Sequence, residues 1–327
     1  MTLDRIGQNS FLVLGRAGMD LYADPPGARV EEAQRFTSAL GGSSANIAAG
    51  LARLGSAVAL VGSVSDDAVG RFVMNELARY KIDSSHVQLA GGELRTSLAV
   101  VETRAEHCQS VIYRNGAADF QLTLSQIEAI DLSRFGALIV TGTCFAKEPS
   151  RAAASRAIEA ARAAGLVVIL DVDHRPYSWD SRAEAAAVCL AATEHCQIVV
   201  GNDDEFGLLA GGTQSGRDLA KRLGARAGAI AVYKMGAHGS VTYAGSECIE
   251  LGVFQVNALK PTGAGDAFLA GFAASLAASR PLADCVARGS AAAAIVVTRV
   301  GCAPAMPTRN ELTHFMAKHP GPIWGTP

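Results

Sequence analysis

The sequence predicts an α/β fold, in which a doubly wound, mostly parallel sheet carries helices on both faces and a small β-sheet lies beside it. Short apolar runs alternate with stretches of helical periodicity along most of the 327 residues. Parallel strands joined by crossover helices have this pattern. Two segments break the alternation and show a period of two instead, as half-exposed antiparallel strands do.

Six mostly apolar runs are predicted to be strands because each is short and ends in turn or polar residues. In chain order they are FLVLG (11–15), AVALVGSV (57–64), GALIVTG (136–142), LVVILDVD (166–173), CQIVVGN (196–202) and AIAVYKMG (229–236). Between them, apolar residues recur at helical spacing. The predicted helices are NIAAGLARL (46–54), VGRFVMNELARYK (69–81), PSRAAASRAIEAARAAG (149–165) and SGRDLAKRLGARAG (215–228).

Residues 16–40 and 91–118 are the two segments with a period of two. In TSLAVVET and QSVIYRN, apolar and polar residues alternate, so each strand would have one covered and one exposed face. We expect these segments to form a lid over a site beside the main sheet. Residues 1–327 are predicted to form a single domain, with a Pro- and Gly-rich tail at 318–327.

The composition excludes several classes of protein. Charged residues make up 18% of the chain and the net charge is −2, so nothing indicates a nucleic-acid partner. No apolar run is long enough to span a bilayer, and the N-terminal residues lack the pattern of a signal peptide. Seven cysteines without a CxxC pair or a His/Cys cluster indicate reduced, mostly buried thiols. We therefore expect a cytoplasmic protein without a membrane partner.

The stretch PTGAGD, residues 261–266, leads into the helical run AFLAGFAASLAA. Its glycines let several amides turn toward one point at a helix N-terminus, where an anion is favoured. Asp266 then has two interpretations: a helix N-cap, or a general base that accepts a proton from a substrate hydroxyl beside a held phosphoryl group. The residues assigned to this anion-binding loop are Thr262, Gly263, Ala264 and Gly265.

The stretch LGGSSAN, residues 40–46, places paired glycines and short polar side chains at the head of a helix. Helix capping, which Ser44 could do unaided, explains part of it. Capping does not require Asn46, whose amide offers both a donor and an acceptor to a polyol. Asp20 follows the first strand and could accept from two sugar hydroxyls, although aspartate is also common in turns. The predicted substrate-binding residues here are Asp20, Gly41, Gly42, Ser43 and Asn46.

Two further loops follow predicted strands on the ligand side of the sheet. In VGNDDEF, Asn202 and Glu205 lie three residues apart and could order water around Mg²⁺, although acidic residues also favour a helix start without any ligand. Lys234 ends the strand before MGAHGS and could approach a nucleotide phosphate, together with Gly236 and Gly239.

Three arginines flank predicted strands on the same side: Arg16, Arg114 in YRNGAAD, and Arg175 in DVDHRP. An acidic substrate calls for one arginine that binds its carboxylate with two hydrogen bonds. Each arginine alone is more often a surface residue, so the hypothesis depends on whether they converge.

Together these residues resemble the ribokinase-like (PfkB) carbohydrate kinases over residues 11–310. The early GG with its asparagine, the NxxE and the GAGD occur in the family's order and spacing. The resemblance implies an ATP-dependent kinase of ribokinase-like fold, with Asp266 as catalytic base and the amides of 263–265 as anion hole. It implies hydroxyl contacts from Asp20, Gly42 and Asn46. It also implies Mg²⁺ and phosphate near Asn202 and Glu205, and ATP over the loop after Lys234 and near the 290s.

Within the family, GRAGMDLY, YRNGAAD, DVDHRP and KPTGAGDAF look most like the members that phosphorylate a keto-sugar acid from myo-inositol breakdown at its terminal hydroxyl. Arg114 or Arg175 would then meet the carboxylate or keto end. One departure is Lys260-Pro261, which replaces the more frequent acidic lead-in to the glycine loop. The sequence does not decide whether a monovalent cation such as K⁺ assists.

Other interpretations stay open at this point. Within the family they are 2-dehydro-3-deoxygluconokinase, fructokinase and ribokinase. From other classes they are an inactive sugar-binding regulator on the same fold and a nicotinamide oxidoreductase, whose glycine fingerprint is incomplete because Phe268 occupies the third glycine position. Exposed lid edges would be covered if two copies paired as a homodimer.

Overall fold

The computed structural model describes residues 3–322, and its strands fall into two sheets. The strands are β1 (Ser10–Leu14), β2 (Gly18–Asp24), β3 (Arg35–Gly41), β4 (Ala57–Ser65), β5 (Asp83–Ala90), β6 (Leu98–Val101), β7 (Ser110–Tyr113), β8 (Ala137–Thr141), β9 (Val167–Asp171), β10 (Ile198–Asn202), β11 (Ile230–Lys234), β12 (Ser240–Ala244) and β13 (Glu247–Leu251).

The large sheet has nine strands in the order β13-β12-β11-β10-β9-β8-β1-β4-β5. All neighbours from β11 to β5 are parallel, whereas β12 and β13 add an antiparallel hairpin at one edge. Chain order reverses between β1 and β8, so the loops after these strands leave a crevice at the carboxyl edge. The predicted doubly wound, mostly parallel sheet is confirmed.

Helices cover both faces of this sheet. They are α1 (Ser43–Arg53), α2 (Ala68–Arg79), α3 (Leu124–Glu128), α4 (Ser150–Ala163), α5 (Arg182–Thr193), α6 (Asp203–Leu209), α7 (Thr213–Gly224), α8 (Ala264–Ala277), α9 (Leu282–Val297) and α10 (Arg309–Lys318). In β1, Leu12 and Leu14 pack in a cluster with α4 to α7, whereas Phe11 and Val13 pack with α1, α2 and α8. Alternate side chains of one strand thus enter two cores, which is why its sequence is apolar throughout.

The second sheet has four strands in the order β3-β2-β6-β7. It comes from the two segments with a period of two, since β2 and β3 lie mostly within 16–40 and β6 and β7 lie within 91–118. Its inner face presents Tyr22, Ala99 and Ile112 toward the carboxyl edge of the large sheet. The predicted small sheet is confirmed.

The predicted tail, the cysteines and the absence of a membrane span can each be compared with the described residues. The predicted tail at 318–327 begins where α10 ends, and residues 323–327 lie outside the described residues. All seven cysteines are free thiols, five of them buried, as expected for reduced cysteines. Within 3–322, no helix is long and apolar enough to cross a membrane.

Candidate active site

A cavity of about 380 Å³ lies between the carboxyl edge of the large sheet and the inner face of the second sheet. Loops after β1, β9, β10 and β11 supply its floor, and the second sheet supplies one wall. The predicted residues that it brings together are Asp20, Gly42, Ser43, Asn46, Arg175, Asn202, Glu205, Lys234, Thr262, Gly263, Gly265 and Asp266. Sequence segments more than 200 residues apart therefore share one polar cavity.

Asp266 lies in the first turn of α8, facing the cavity. Gly263 is the N-cap residue, with φ of 83°, and no side chain caps this helix end. The capping interpretation of Asp266 is therefore not supported, because the cap position lies three residues earlier. Gly263 is needed for a second reason: a Cβ there would lie 2.8 Å from Cys302 Sγ. The uncapped amides of a helix N-terminus are suited to hold an anion.

Asp266 is held by Asn46 from the other side of the cavity. Asn46 Nδ2 donates to Asp266 Oδ2 at 2.8 Å, while Asn46 Oδ1 is buried without a hydrogen-bond partner among the described residues. Asp20 Oδ1 is likewise buried and unpartnered, and Tyr22 donates to the other oxygen of Asp20 at 3.0 Å. Buried polar atoms are rarely left unpaired. These two oxygens are therefore placed to accept hydrogen bonds from a ligand.

Glycine at position 41 makes room for Asp20. A Cβ there would lie 1.9 Å from Asp20 Oδ1, so no other residue leaves this carboxylate in place. Gly41 itself does not line the cavity, and neither does Ala264. The predicted contacts of Gly41 and Ala264 with ligands therefore stay predictions.

The titration of Asp266 is shifted into the physiological range. Burial raises the pKa of Asp266 to about 6, and the nearby carboxylate of Asp173 adds to the rise. The hydrogen bond from Asn46 and the charges of Arg175 and Lys234 oppose it. A carboxylate with a pKa near the working pH is well matched to accept a proton from an alcohol.

The three arginines are placed differently. Arg16 is buried in the cavity wall and donates to Ser97 Oγ at 3.1 Å. Arg175 also lines the cavity, and its guanidinium pairs with Asp173 Oδ1 at 2.7 Å while its side chain stays 45% exposed. Two of the three therefore converge on the cavity.

Arg114 does not line the cavity. Its Nε donates to Asp119 Oδ2 at 2.9 Å, and its Nη1 donates to Ser178 Oγ at 3.2 Å. The guanidinium also stacks on the Phe120 ring, 4.1 Å from its centroid. Both charged side chains of the pair are at most 4% exposed. Its partners thus give Arg114 a structural position, and a contact with substrate stays a prediction that this geometry does not favour.

Lys234 reaches the anion-binding loop. A Cβ on Gly265 would lie 3.3 Å from Lys234 Nζ, so the ammonium is close to the backbone of the helix tip. Gly236 and Gly239 lie just beyond, in a turn that does not contribute to the cavity lining. The ammonium thus adds a positive charge beside the amides.

Comparison with known proteins agrees with this geometry. The family described as pfkB family carbohydrate kinase matches residues 8–309. The chain belongs to the pfkB family of carbohydrate kinases. The predictions of an ATP-dependent carbohydrate kinase and of a ribokinase-like fold are confirmed, whereas the roles of single site residues stay predictions.

Individual relatives cover nearly the whole chain. A 5-dehydro-2-deoxygluconokinase of Geobacillus kaustophilus is 36% identical, covering 94% of each chain, and one of Photobacterium profundum is 37% identical, covering 93% of this chain and 94% of the other. The names of these relatives agree with the subgroup that the sequence motifs predicted. A fructokinase variant of Vibrio cholerae, solved with fructose, ADP and a potassium ion, has a TM-score of 0.82 at 25% identity, covering 94% of this chain and 97% of the other.

In this pfkB chain, Asn202 and Glu205 form a capping box at the start of α6. Asn202 Oδ1 accepts from the Glu205 amide at 2.8 Å, and Glu205 Oε2 accepts from the Asn202 amide at 2.7 Å. The structural interpretation of this motif is therefore realised. Both side chains still line the cavity, and burial raises the pKa of Glu205.

The donor set is suited to order the water shell of a magnesium ion that is bound to phosphates. In the part of the chain that the structure describes, no cluster of three or more His, Cys, Asp or Glu side chains could hold a metal directly. Mg²⁺ usually keeps several waters and binds through phosphates. Carboxylates that face the cavity, such as Glu205, could accept hydrogen bonds from those waters, as predicted for a contact through water.

Sequence reasoning missed several cavity residues. Asp171 ends β9 and Asp173 follows two residues later, on the predicted strand LVVILDVD, so their position at a strand's carboxyl end was an available signal. Burial raises the pKa of Asp171 to about 8. Tyr22 and Cys302 had no such signal, because only the packing of the second sheet brings them together, with Tyr22 Oη 3.2 Å from Cys302 Sγ.

Proposed function

We propose that this chain transfers the γ-phosphoryl group of ATP to the terminal hydroxyl of 5-dehydro-2-deoxy-D-gluconate, an intermediate of myo-inositol breakdown. The observation that carries the proposal is the placement of Asp266: a carboxylate with a pKa of about 6 beside the uncapped amides of α8, in a cavity with two arginines. Relatives with this activity in their names are 36–37% identical to the chain.

Each residue of the cavity would have its own role in the reaction. Asp266 accepts the proton of the terminal hydroxyl as its oxygen forms a bond to the γ-phosphorus, and the bond from that phosphorus to the ADP oxygen breaks. The amides at the tip of α8 and the ammonium of Lys234 hold the phosphoryl oxygens during transfer. Phosphoryl transfer depends mainly on positioning and electrostatic stabilisation, which these groups supply.

The acceptor would lie with its hydroxyl end toward Asp266 and its acid end toward the arginines. Asp20 and Asn46, whose Oδ1 atoms are unpartnered, accept hydrogen bonds from the chain hydroxyls. Arg175 is half exposed in the wall and can turn its free guanidinium edge to a carboxylate. Arg16 adds a second positive charge nearby.

ATP would lie along the loop after β11, with its phosphates directed at α8. Mg²⁺ bound to the phosphates neutralises the charge that develops during transfer. The residues of this chain that would order its water are Asn202 and Glu205, on the cavity floor. The second sheet would close over the acceptor and exclude water, which limits wasteful hydrolysis of ATP.

The second sheet also supports an inferred homodimer. Its edge strands β3 and β7 expose Phe36 (39%), Val111 (46%) and Tyr113 (60%). Unpaired apolar edges are a liability that a second copy would cover. Sedimentation velocity at micromolar protein would show a dimer, and a monomeric mass would contradict this inference.

A panel of acceptors tests the substrate. The purified chain with ATP and Mg²⁺ is offered 5-dehydro-2-deoxygluconate, 2-dehydro-3-deoxygluconate, fructose and ribose, and phosphorylated product is located by NMR. We expect the highest kcat/KM with the first compound and phosphate on its terminal oxygen. Strong activity on neutral sugars with none on the acids would overturn the substrate assignment. No turnover with any acceptor would favour a sugar-binding regulator instead.

A further inference from the structure

Lys260 is a lysine whose side chain is completely buried. Its exposed fraction is 0%, and it lies three residues before Gly263, the N-cap residue of α8. Within residues 3–322 no carboxylate oxygen lies close enough to Lys260 Nζ to form an ion pair. Lysine is almost never fully buried unless it is paired. The free energy needed to bury this charged group must therefore be offset by an interaction other than a salt bridge.

The partner of the ammonium is a backbone carbonyl. Lys260 Nζ donates to the carbonyl oxygen of Thr262 at 2.5 Å. The amides of Leu259 and Lys260 donate to the carbonyl of Val297, the last residue of α9, at 2.7 and 3.3 Å. Lys260 is therefore anchored to the end of α9 through its backbone and to the anion-binding loop through its side chain.

Among the described residues, no other side chain donates a hydrogen bond to the Thr262 carbonyl. Thr262 Oγ1 is buried without a partner among the described residues, so the hydroxyl of Thr262 does not fix its own backbone. The Thr262 carbonyl belongs to the peptide whose N–H is that of Gly263. Fixing this carbonyl therefore fixes the direction of the first amide at the helix tip.

Burial lowers the pKa of Lys260, whereas the nearby carboxylates of Asp20 and Asp266 favour its charged form. The ammonium thus places one positive charge against the Thr262 carbonyl oxygen, and carbonyl oxygens are also the ligands that potassium ions take in proteins. The Vibrio cholerae fructokinase of the same fold was solved with such an ion.

We propose that Lys260 is a positioning residue whose ammonium acts as a built-in monovalent cation behind the anion-binding loop, so that phosphoryl transfer by this chain needs no dissolved potassium. The ammonium holds the Thr262 carbonyl and adds positive charge behind the amides that receive the phosphoryl oxygens. The inference rests on the proposed phosphoryl transfer, but not on which sugar acid is the acceptor.

The first test uses the unaltered enzyme. Initial rates with ATP, Mg²⁺ and the best acceptor of the panel are compared in chloride salts of potassium, sodium, ammonium and tetramethylammonium at constant ionic strength. Equal rates in all of these salts are expected, because the required charge is covalently attached. Several-fold activation by potassium or ammonium over tetramethylammonium would overturn the proposal.

The second test creates a dependence on dissolved cation. Lys260→Met keeps the length of the side chain and removes its charge. The anion-binding loop should then be misplaced by about 1 Å, which should lower kcat about 100-fold in tetramethylammonium. Potassium or ammonium should restore part of kcat. Lys221→Met, on the exposed face of α7, is the matched control and should show neither effect. A Lys260→Met enzyme whose rate is indifferent to the cation would contradict the proposal.

A readout without catalysis separates this inference from the proposed function. The thermal unfolding midpoint of Lys260→Met should rise when potassium replaces tetramethylammonium, whereas that of the unaltered chain should not. If Lys260→Met does not fold, Lys260→Gln serves in its place. Failure of every acceptor together with a potassium-dependent midpoint would remove the proposed function and leave the cation inference standing.

Discussion

Asn46 Nδ2 lies 2.8 Å from Asp266 Oδ2, so the first turns of α1 and α8 are joined across 220 residues of sequence. The bond orients the carboxylate and favours its charged form. In the proposed reaction, the other oxygen of Asp266 would accept the proton of the incoming hydroxyl. The relative placement of acceptor and phosphate would then depend on the contact between these two helices.

Replacing Asn46 by alanine should weaken catalysis without unfolding the protein. A hydrogen bond to a charged group is lost, so kcat/KM should fall by about 10- to 100-fold. The pKa of Asp266 should rise, because the bond from Asn46 lowers it. Steady-state rates across pH measure both effects. Asn75→Ala, on the exposed face of α2, is the control, and an equal loss in that variant would contradict the assignment.

The rate should depend on the ionisation of Asp266. Because burial raises the pKa of Asp266 to about 6, the charged base is present above that pH and is lost below it. We therefore expect kcat/KM to rise with pH through about 6 and to level off near neutrality. A rate that is constant from pH 5 to 8 would show that another group accepts the proton.

Asp173→Asn should shift the acidic limb of the profile of kcat/KM against pH in a known direction. The carboxylate of Asp173 raises the pKa of Asp266, so its neutral replacement should shift the limb to lower pH. Asp173 also accepts from Ser43 and pairs with Arg175, so a lower maximal rate is expected as well. Asp218→Asn, an exposed position in α7, should leave the limb where it is. A shift to higher pH would refute the electrostatic explanation.

The Arg175→Gln enzyme should bind acidic acceptors more weakly than the unaltered enzyme does. Loss of a charge-assisted hydrogen bond should raise KM for the keto-sugar acid by about 10- to 100-fold. The KM of a neutral sugar, where one is turned over, should change little. Comparison of the two KM values under identical conditions is the measurement. Equal increases for both acceptors would mean that Arg175 supports the cavity wall and does not read the carboxylate.

Arg114→Ala should affect stability and not substrate selection. Removing one partner of a buried ion pair leaves Asp119 uncompensated and should cost about 3–5 kcal/mol in the free energy of unfolding. Urea unfolding measures this loss, with the exposed Arg222→Ala as control. A stable Arg114→Ala protein with a raised KM for the acid would instead support the prediction made from sequence.

Local patterns predicted much of the fold. β1, β4 and β8 to β11 are mostly apolar because both faces are buried, and their sequences therefore stand out from the amphipathic helices. The GAGD stretch was equally informative, since glycines before a helix of small residues indicate an anion site. For that reason the sequence alone pointed to Asp266 and its loop, whose roles in the reaction stay predictions.

Long-range pairing could not be predicted in this way. Arg114 and Arg175 look alike in sequence, and only the fold shows that one is neutralised by Asp119 while the other faces the cavity. Asn202 and Glu205 fit a cap and a metal site equally well in sequence, and the structure shows the cap. The contact of Lys260 with Thr262 likewise could not be predicted from the sequence, because the position of the lysine depends on its backbone contact with α9.

The most direct test of the central claim is single-turnover phosphoryl transfer by Asp266→Asn, measured by rapid quench with ATP, Mg²⁺ and acceptor bound. Asparagine preserves the shape of the side chain, so nucleotide affinity and the unfolding midpoint should stay close to those of the unaltered chain. Loss of the base should slow transfer by about 10²- to 10⁴-fold. Transfer at the rate of the unaltered enzyme would contradict the claim that Asp266 takes the proton.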